Sequence, residues 1–123
     1  MRLIVIAALG ILVFTGCEPR STESPLEAQG GQLYEDKACA SCHSVDGSRS
    51  VGPTWKGLFG SPVRLNDGSE AIADERYLRE SMLQPSLKTV EGFKPGLMET
   101  VIKQDSLSDR EVSALIAYIK SLR

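Results

Sequence analysis

The chain has 123 residues, which predicts a single domain. Its hydrophobic content of 41% is that of an ordinary globular protein, although only 6% of its residues are aromatic. The formal net charge is −2 and the pI is about 5.4. No basic block is present, so the sequence lacks the charge pattern of a nucleic-acid-binding protein, and we predict no nucleic-acid partner.

Residues 1–16 form a predicted signal peptide. A positive start at Arg2 precedes an apolar run over residues 3–14, which is too short for a comfortable transmembrane helix and suits the core of an export signal. The alternative is a short membrane anchor that stays attached. In either case the chain leaves the cytoplasm, and we predict a location in the periplasm or at the outer face of the cytoplasmic membrane.

Cys17 directly follows Gly16 at the end of the apolar run and resembles the lipidated cysteine of a bacterial lipobox. The alternative is ordinary cleavage nearby, which leaves Cys17 as a free thiol. We favour lipidation, because an odd exposed cysteine is a liability in an exported protein. Residues 18–25 are charged and contain Ser, Thr and Pro, as in a solvated tether. Residues 17–25 are therefore predicted to tie a head domain, residues 26–123, to a membrane.

Two helices are predicted in the first two thirds of the head. Residues 26–37 have near-helical spacing of apolar positions, and Pro25 suits a helix start. Residues 73–85 form a second, short helix that Asp74 can cap and that Pro85 bounds. The intervening segment is dense in Gly and Pro and is predicted to be mostly loop.

The clearest helix is the last one, where Ser108 and Glu111 make a capping box. Its apolar stripe consists of Val112, Leu115, Ile116, Ile119 and Leu122. Residues 88–100 before it are predicted to be a loop, and no strong strand pattern occurs anywhere. The head is therefore predicted to be small, all-helical and rich in loops. Such a chain seldom stabilises long loops unaided, so we expect a bound group to hold them.

The segment CASCH holds two of the three cysteines, Cys39 and Cys42, and the only histidine, His43. A C-x-x-C motif alone can mark a redox pair, half of a zinc site or a haem attachment site. No βαβ frame for a thioredoxin-like pair is visible, and the chain holds too few Cys and His for a four-ligand zinc site. A disulfide between the two cysteines would close only a tiny loop. His43 directly after the second cysteine favours covalent c-type haem.

The spacing of CASCH explains this chemistry. Cysteines three apart lie on one side of a helical turn, where each can form a thioether to a haem vinyl group. The next residue then points its imidazole at the iron. We predict one haem c, bound covalently through Cys39 and Cys42, with His43 as an iron ligand.

The sixth ligand of the iron must come from elsewhere, because His43 is the only histidine. The candidates are a methionine, a lysine or an open position. Met82 lies on the inner face of a predicted helix and is typical of core filling. Met98 lies in a Gly/Pro-rich loop that can wrap to the other face of the haem. We favour Met98 and a six-coordinate iron.

With these residues in view, the head resembles a class I cytochrome c over residues 26–123. The similarity rests on CASCH, on VGPTWKGLFG at residues 51–60, on Met98 in a late loop and on a terminal helix that carries Tyr118. The resemblance implies an all-α class I cytochrome c fold, with three to five short helices and long loops wrapped around one covalent haem.

The same resemblance assigns further residues. Gly30 and Tyr34 on the first helix, against Leu115 and Tyr118 on the last, match the positions where the family's terminal helices cross. The family's proline carbonyl, which accepts a hydrogen bond from the ligating histidine, would here be that of Pro53, and this bond fixes the ring and raises its basicity.

The loop around Pro53 supplies further expectations. Trp55, Leu58 and Phe59 are expected to pack on the haem, and Arg64 is a candidate partner for a haem propionate.

Among class I cytochromes c, residues 51–69, 73–85 and 90–98 are most similar to the haem-c domain fused to subunit II of bacterial haem–copper oxidases. The copper-binding domain and membrane helices of that subunit are not found in the chain, and one histidine cannot build a dinuclear copper site. We therefore expect the haem domain to stand alone on a lipid anchor. Glu99 stands where the family often has proline.

The resemblance implies a one-electron carrier in a respiratory chain, working as a monomer between a donor of the quinol:cytochrome c reductase type and an acceptor of the terminal oxidase type. Three alternatives stay open. One is a permanently bound haem subunit of an oxidase or dehydrogenase complex. Another is a peroxidase-like enzyme, for which no second histidine can serve as distal acid or base. The last is a sensor in which a ligand displaces Met98.

Overall fold

The computed structural model describes residues 23–103 and 106–123. The predicted signal peptide, Cys17 and the tether up to residue 22 lie outside the described residues. In the described part, no helix is both long enough and apolar enough to cross a lipid bilayer. In chain order, the elements are α1 Pro25–Asp36, a 3-10 turn Cys39–Ser41, β1 Pro62–Arg64, β2 Glu70–Ile72, α2 Glu75–Leu83, α3 Leu97–Val101 and α4 Asp109–Ser121.

All three helices predicted from the sequence are confirmed, and local capping explains where they begin. The Ser24 hydroxyl accepts a hydrogen bond from the Glu27 amide at 3.2 Å, and a proline occupies the first turn of α1. The Asp74 carboxylate caps α2 by accepting from the Tyr77 amide at 2.8 Å. These caps satisfy amide groups that have no partner within the helix.

The predicted capping box at the start of α4 is also confirmed. The Ser108 amide donates to the Glu111 carboxylate at 2.7 Å, and the Glu111 amide donates to the Ser108 hydroxyl at 3.3 Å. The Lys37 ammonium, at the end of α1, lies 2.9 Å from the same carboxylate. The Ser108 amide first, and then Lys37, lower the pKa of Glu111 to about 2. The carboxylate is therefore ionised at neutral pH, and it links the C-terminal end of α1 to the N-terminal end of α4.

The terminal helices α1 and α4 cross at close range, and the crossing depends on Gly30. A Cβ added to Gly30 would lie 2.0 Å from the backbone oxygen of Ala114, so only glycine fits there. Beyond the crossing, the Tyr34 and Tyr118 rings pack with their centroids 5.7 Å apart. The apolar stripe of α4 forms the centre of the core, and its fully buried members are Val112, Leu115, Ile116 and Ile119.

The segment predicted to be mostly loop contains a small hairpin that was not predicted from the sequence. The strands β1 and β2 pair antiparallel, with Val63 opposite Ala71. The turn closes through a hydrogen bond from the Leu65 amide to the Ser69 carbonyl at 2.9 Å, and Gly68 adopts the positive φ of 84° that this turn requires. The hairpin places the buried side chain of Val63 against the core.

The prediction of a loop over residues 88–100 is wrong at its end, where the chain forms the helix α3. This helix starts after Gly96, which has a φ of 78°. The helix has only five residues and lacks a side-chain cap. The consequence for the site is that Met98 lies in the first turn of a helix rather than in an open loop.

Candidate functional site

The 3-10 turn brings the CASCH residues to one side of the chain. The amides of Cys42 and His43 both donate to the Cys39 carbonyl, at 3.1 and 2.9 Å. The turn begins after Ala38, which has the positive φ of 58°. Both cysteines are partly buried, and no disulfide joins them. All three chemistry-bearing side chains line one cavity.

The imidazole of His43 is held from several directions. Its Nδ1 donates to the Pro53 carbonyl oxygen at 2.7 Å, as the resemblance implied. Because a carbonyl only accepts, this bond places the ring proton on Nδ1 and leaves the lone pair of Nε2 available for a metal. Burial lowers the pKa of His43, and the bond to Pro53 opposes that shift only in part. The imidazole is therefore neutral, the state in which it ligates iron.

Three further contacts at His43 were not predicted. The Tyr34 hydroxyl donates a hydrogen bond to the backbone carbonyl of His43. The Trp55 ring lies with its centroid 5.3 Å from that of the imidazole, and it is 5% exposed. Gly52 lies so close to the imidazole that an added Cβ would come within 2.7 Å of its Cε1 atom. The loop at residues 52–55 therefore cradles the ring.

The cavity beside His43 has a volume of about 500 Å³, within the range of about 300–1,000 Å³ usual for cofactor and ligand sites. Its walls are mostly apolar, with thiols and an imidazole on one side, and this donor set suits a flat, apolar macrocycle held by thioethers and an axial nitrogen. Apolar lining residues include Trp55, Leu58, Val63, Leu78, Met82, Met98 and Ile119.

Both methionines considered as the sixth ligand line this cavity. Met82 is 5% exposed and belongs to the core cluster, in line with its interpretation as core filling. Met98 is partly buried and packs against the core from the first turn of α3. The choice of Met98 as the iron ligand stays a prediction.

The remaining residues named from the sequence divide into two groups. Leu58 and Arg64 line the cavity, and Arg64 also lies 3.8 Å from the Glu91 carboxylate. Phe59 is not among the lining residues. Its ring is 40% exposed and lies 4.8 Å beneath the Lys120 ammonium. The expectation that Phe59 packs on the haem is therefore not matched by its position.

Comparison with known proteins decides the family. The family model described as cytochrome c matches residues 27–123, most of the chain. The chain belongs to the cytochrome c family. Its cofactor is therefore a covalent haem c, bound through Cys39 and Cys42.

Two curated relatives are subunits of a larger enzyme. The chain is 32% identical over 108 residues to cytochrome c oxidase subunit 2 of Bacillus subtilis, and 29% identical over 107 residues to that of Alkalihalophilus pseudofirmus. The matches cover 84% and 86% of this chain. They cover only 28% of each relative, so the chain corresponds to about a quarter of those proteins.

Solved structures share the fold. Cytochrome cH from Methylobacterium extorquens matches with a TM-score of 0.53 at 24% identity, over 77% of this chain and 97% of its own. A cytochrome c from Rhodothermus marinus matches with a TM-score of 0.50 at 20% identity, over 79% and 76%. The prediction of a mostly helical class I cytochrome c fold is thus confirmed, with the small hairpin as an addition.

Proposed function

We propose that this cytochrome c is a one-electron carrier in a respiratory chain whose iron is held by His43 and Met98. One observation supports this most: the Nδ1–H of His43 is committed to the Pro53 carbonyl, which leaves Nε2 as the free donor atom, and His43 lines the same cavity as Met98. Histidine and methionine together close the coordination sphere and raise the reduction potential, which favours electron transfer over ligand binding.

The haem supplies an iron that alternates between the ferrous and ferric states. This chain's own residues set the conditions for that change. The hydrogen bond from His43 to Pro53 fixes the orientation of the imidazole and increases its basicity. The apolar walls limit the access of water, which tunes the reduction potential further. The sequence holds no second histidine that could act as a distal acid or base, so an enzymatic role is disfavoured.

Electron partners are proposed to approach at the mouth of the cavity. Val51 and Val101 line the cavity and are 53% and 43% exposed, so they offer a small apolar contact beside the haem. Charges of both signs surround them, among them Lys56, Lys94 and Glu99. Such a surface suits a small, transient redox interface. The donor is proposed to be a quinol:cytochrome c reductase type complex and the acceptor a terminal oxidase.

The protein is further proposed to be exported and to act as a monomer at a membrane surface, in the periplasm or at the outer face of the cytoplasmic membrane. A lipid on Cys17 would hold it there. Residues 18–23, which precede the Ser24 cap of α1, can span at most about 21 Å when extended. The head would then stay close to membrane-bound donors and acceptors.

A second candidate function is a permanently bound haem subunit of an oxidase complex. The two relatives named cytochrome c oxidase subunit 2 favour it, since this chain matches part of each. Detergent extraction of membranes, native isolation and intact-mass measurement address both proposals. We expect a diacylated mature mass starting at Cys17 and a protein free of other subunits. Stoichiometric co-purification with an oxidase would favour the subunit, and a mass without acyl groups would contradict the anchor.

Replacing Met98 with alanine should remove the sixth iron ligand. We expect the weak far-red absorption band of a methionine–ferric iron bond to vanish, and the ferric protein to become high-spin. The reduced variant should also bind carbon monoxide rapidly, because nothing blocks the open position. Absorption spectra of the oxidised and reduced holoprotein, made in cells that attach haem, measure all three changes.

Met82→Leu is the matched control, since Met82 lines the same cavity and leucine keeps its volume. This variant should keep the far-red band and the low-spin spectrum. If Met82→Leu loses the band while Met98→Ala retains it, the ligand assignment is reversed. A parent protein that is already high-spin would contradict the closed carrier and favour a sensor or an enzyme.

A further inference from the structure

An uninterrupted series of aromatic rings runs from the proximal histidine to the crossing of α1 and α4. The Trp55 centroid lies 5.3 Å from that of His43, the Tyr34 centroid 5.0 Å from Trp55, and the Tyr118 centroid 5.7 Å from Tyr34. Trp55 also meets Tyr118 directly, edge to face at 6.4 Å. Neighbouring rings are thus in van der Waals range along the whole series.

The composition of this series is unusual for a chain with few aromatic residues. It uses the only tryptophan and two of the three tyrosines, which are the side chains most easily oxidised by one electron, and none of the three phenylalanines. Tyr34 and Trp55 are 6% and 5% exposed, whereas Tyr118 is partly exposed. Tyr34 and Tyr118 do not line the haem cavity. The series therefore begins behind the haem ligand and ends at a different face of the molecule.

We propose that Trp55, Tyr34 and Tyr118 form an electron path that connects the haem with strong one-electron oxidants at the α1–α4 face. This path is separate from the mouth of the cavity, where ordinary redox partners are proposed to dock. It rests on the haem c of the cytochrome c family and not on the identity of those partners. Its role is to supply an electron from the ferrous haem to a surface residue that has been oxidised, so that this residue is not permanently modified.

The step balances as a transfer of one electron. The oxidant takes an electron from the Tyr118 phenol, which releases its proton to water. An electron from the ferrous haem then passes through Trp55 and Tyr34 and restores Tyr118, which takes a proton back. The net change is one oxidant reduced and one ferrous haem made ferric, with no net proton.

The chemistry of Tyr118 fits the terminal role. Burial, and then the carboxylates of Glu35 and Glu23, raise the pKa of the Tyr118 phenol. The phenol is therefore neutral at pH 7, and its oxidation is coupled to proton release. The Tyr34 hydroxyl donates to the His43 carbonyl, and its ring lies between those of Trp55 and Tyr118. Tyr34 therefore occupies the middle of the path.

The test uses the holoprotein with a ruthenium polypyridyl photo-oxidant attached near Tyr118. Glu35 is exposed, and its charge acts on both Tyr34 and Tyr118, so it lies beside the end of the path. Glu35→His creates an accessible attachment site in a chain whose only natural histidine is His43. A light flash then generates the oxidant, and transient absorption follows both the oxidation of the ferrous haem and any tyrosyl radical.

We expect fast oxidation of the haem, preceded by a tyrosyl signal. Tyr118→Phe, which keeps the ring and removes the oxidisable phenol, should lose both the signal and the fast phase. Tyr118→Trp should restore the fast phase, because an indole is oxidisable. Phe59→Leu is the control, since Phe59 is an aromatic residue that lies outside the path and does not line the haem cavity. It should change neither quantity.

Two outcomes would overturn the path. One is equal rates for the labelled parent and Tyr118→Phe, which would mean direct tunnelling and a purely structural role for the rings. The other is an equal slowing by Phe59→Leu. Oxidation by a small soluble acceptor at the cavity mouth, measured in the same proteins, should be the same in all of them. Its failure in the parent would contradict the carrier function, while the comparison of variants would still decide the path.

Discussion

Replacing Gly30 with alanine should lower the free energy of unfolding of the holoprotein by about 3 kcal/mol or more, at the upper end of the usual cost of overpacking. The added Cβ would lie 2.0 Å from the Ala114 oxygen and 2.7 Å from the Tyr118 Cβ. Two of the three nearest atoms belong to the backbone of α4, so no rotamer change can relieve the clash. The helices must separate, and the Tyr34–Tyr118 contact is lost with them. Denaturant unfolding, followed by far-UV circular dichroism, measures the change.

The next residue provides a matched control. A Cβ on Gly31 would meet the Tyr118 ring at 3.5 Å, which is ordinary van der Waals contact. Gly31→Ala should therefore be neutral, or it should stabilise the protein by up to about 1 kcal/mol through the better helix propensity of alanine. Equal stability of the two variants would mean that α1 and α4 do not approach as closely as the structure indicates.

The helices were predictable because their signals are local. Ser108 and Glu111 satisfy each other three residues apart, and the stripe of α4 repeats at helical spacing. The hairpin was missed because each strand has only three residues, and β1 buries a single side chain, Val63. Alternation over three residues is too short to be distinguished from a loop. The Asn66-Asp67-Gly68 turn was the only available signal.

The site was predictable to a similar extent. Cys39, Cys42 and His43 form a contiguous motif, so their chemistry follows from spacing alone. The Pro53 contact came from the resemblance to class I cytochromes c, and its hydrogen bond is present at 2.7 Å. The hydrogen bond from the Tyr34 hydroxyl and the contact of the Trp55 ring with His43 depend on how α1 and a loop meet in space. No local pattern around Tyr34 or Trp55 predicts that either residue contacts His43.

Replacing Gly52 with alanine should weaken the bond between His43 and the iron. The added Cβ would lie 2.7 Å from Cε1 and 2.9 Å from Nδ1 of the imidazole, so the ring must turn away from the Pro53 carbonyl. Loss of such an outer hydrogen bond typically costs about 10–100-fold in metal affinity. Acid titration of the low-spin absorption bands measures the change, and the midpoint should rise by about one to two pH units, since each tenfold change in affinity corresponds to one unit for a single-proton release.

Val51→Ala is the control for this loop, because Val51 is the preceding residue and is 53% exposed. It should leave the titration midpoint unchanged, since it removes apolar surface at the cavity mouth without touching the imidazole. The direction of the Gly52 effect follows from the tautomer. When the ring turns away from the Pro53 carbonyl, Nε2 is less firmly oriented toward the iron and the iron bond weakens, so a proton displaces the iron from Nε2 at higher pH. An unchanged midpoint in Gly52→Ala would show that the iron alone holds the imidazole and that the loop at residues 52–55 does not strengthen the iron bond.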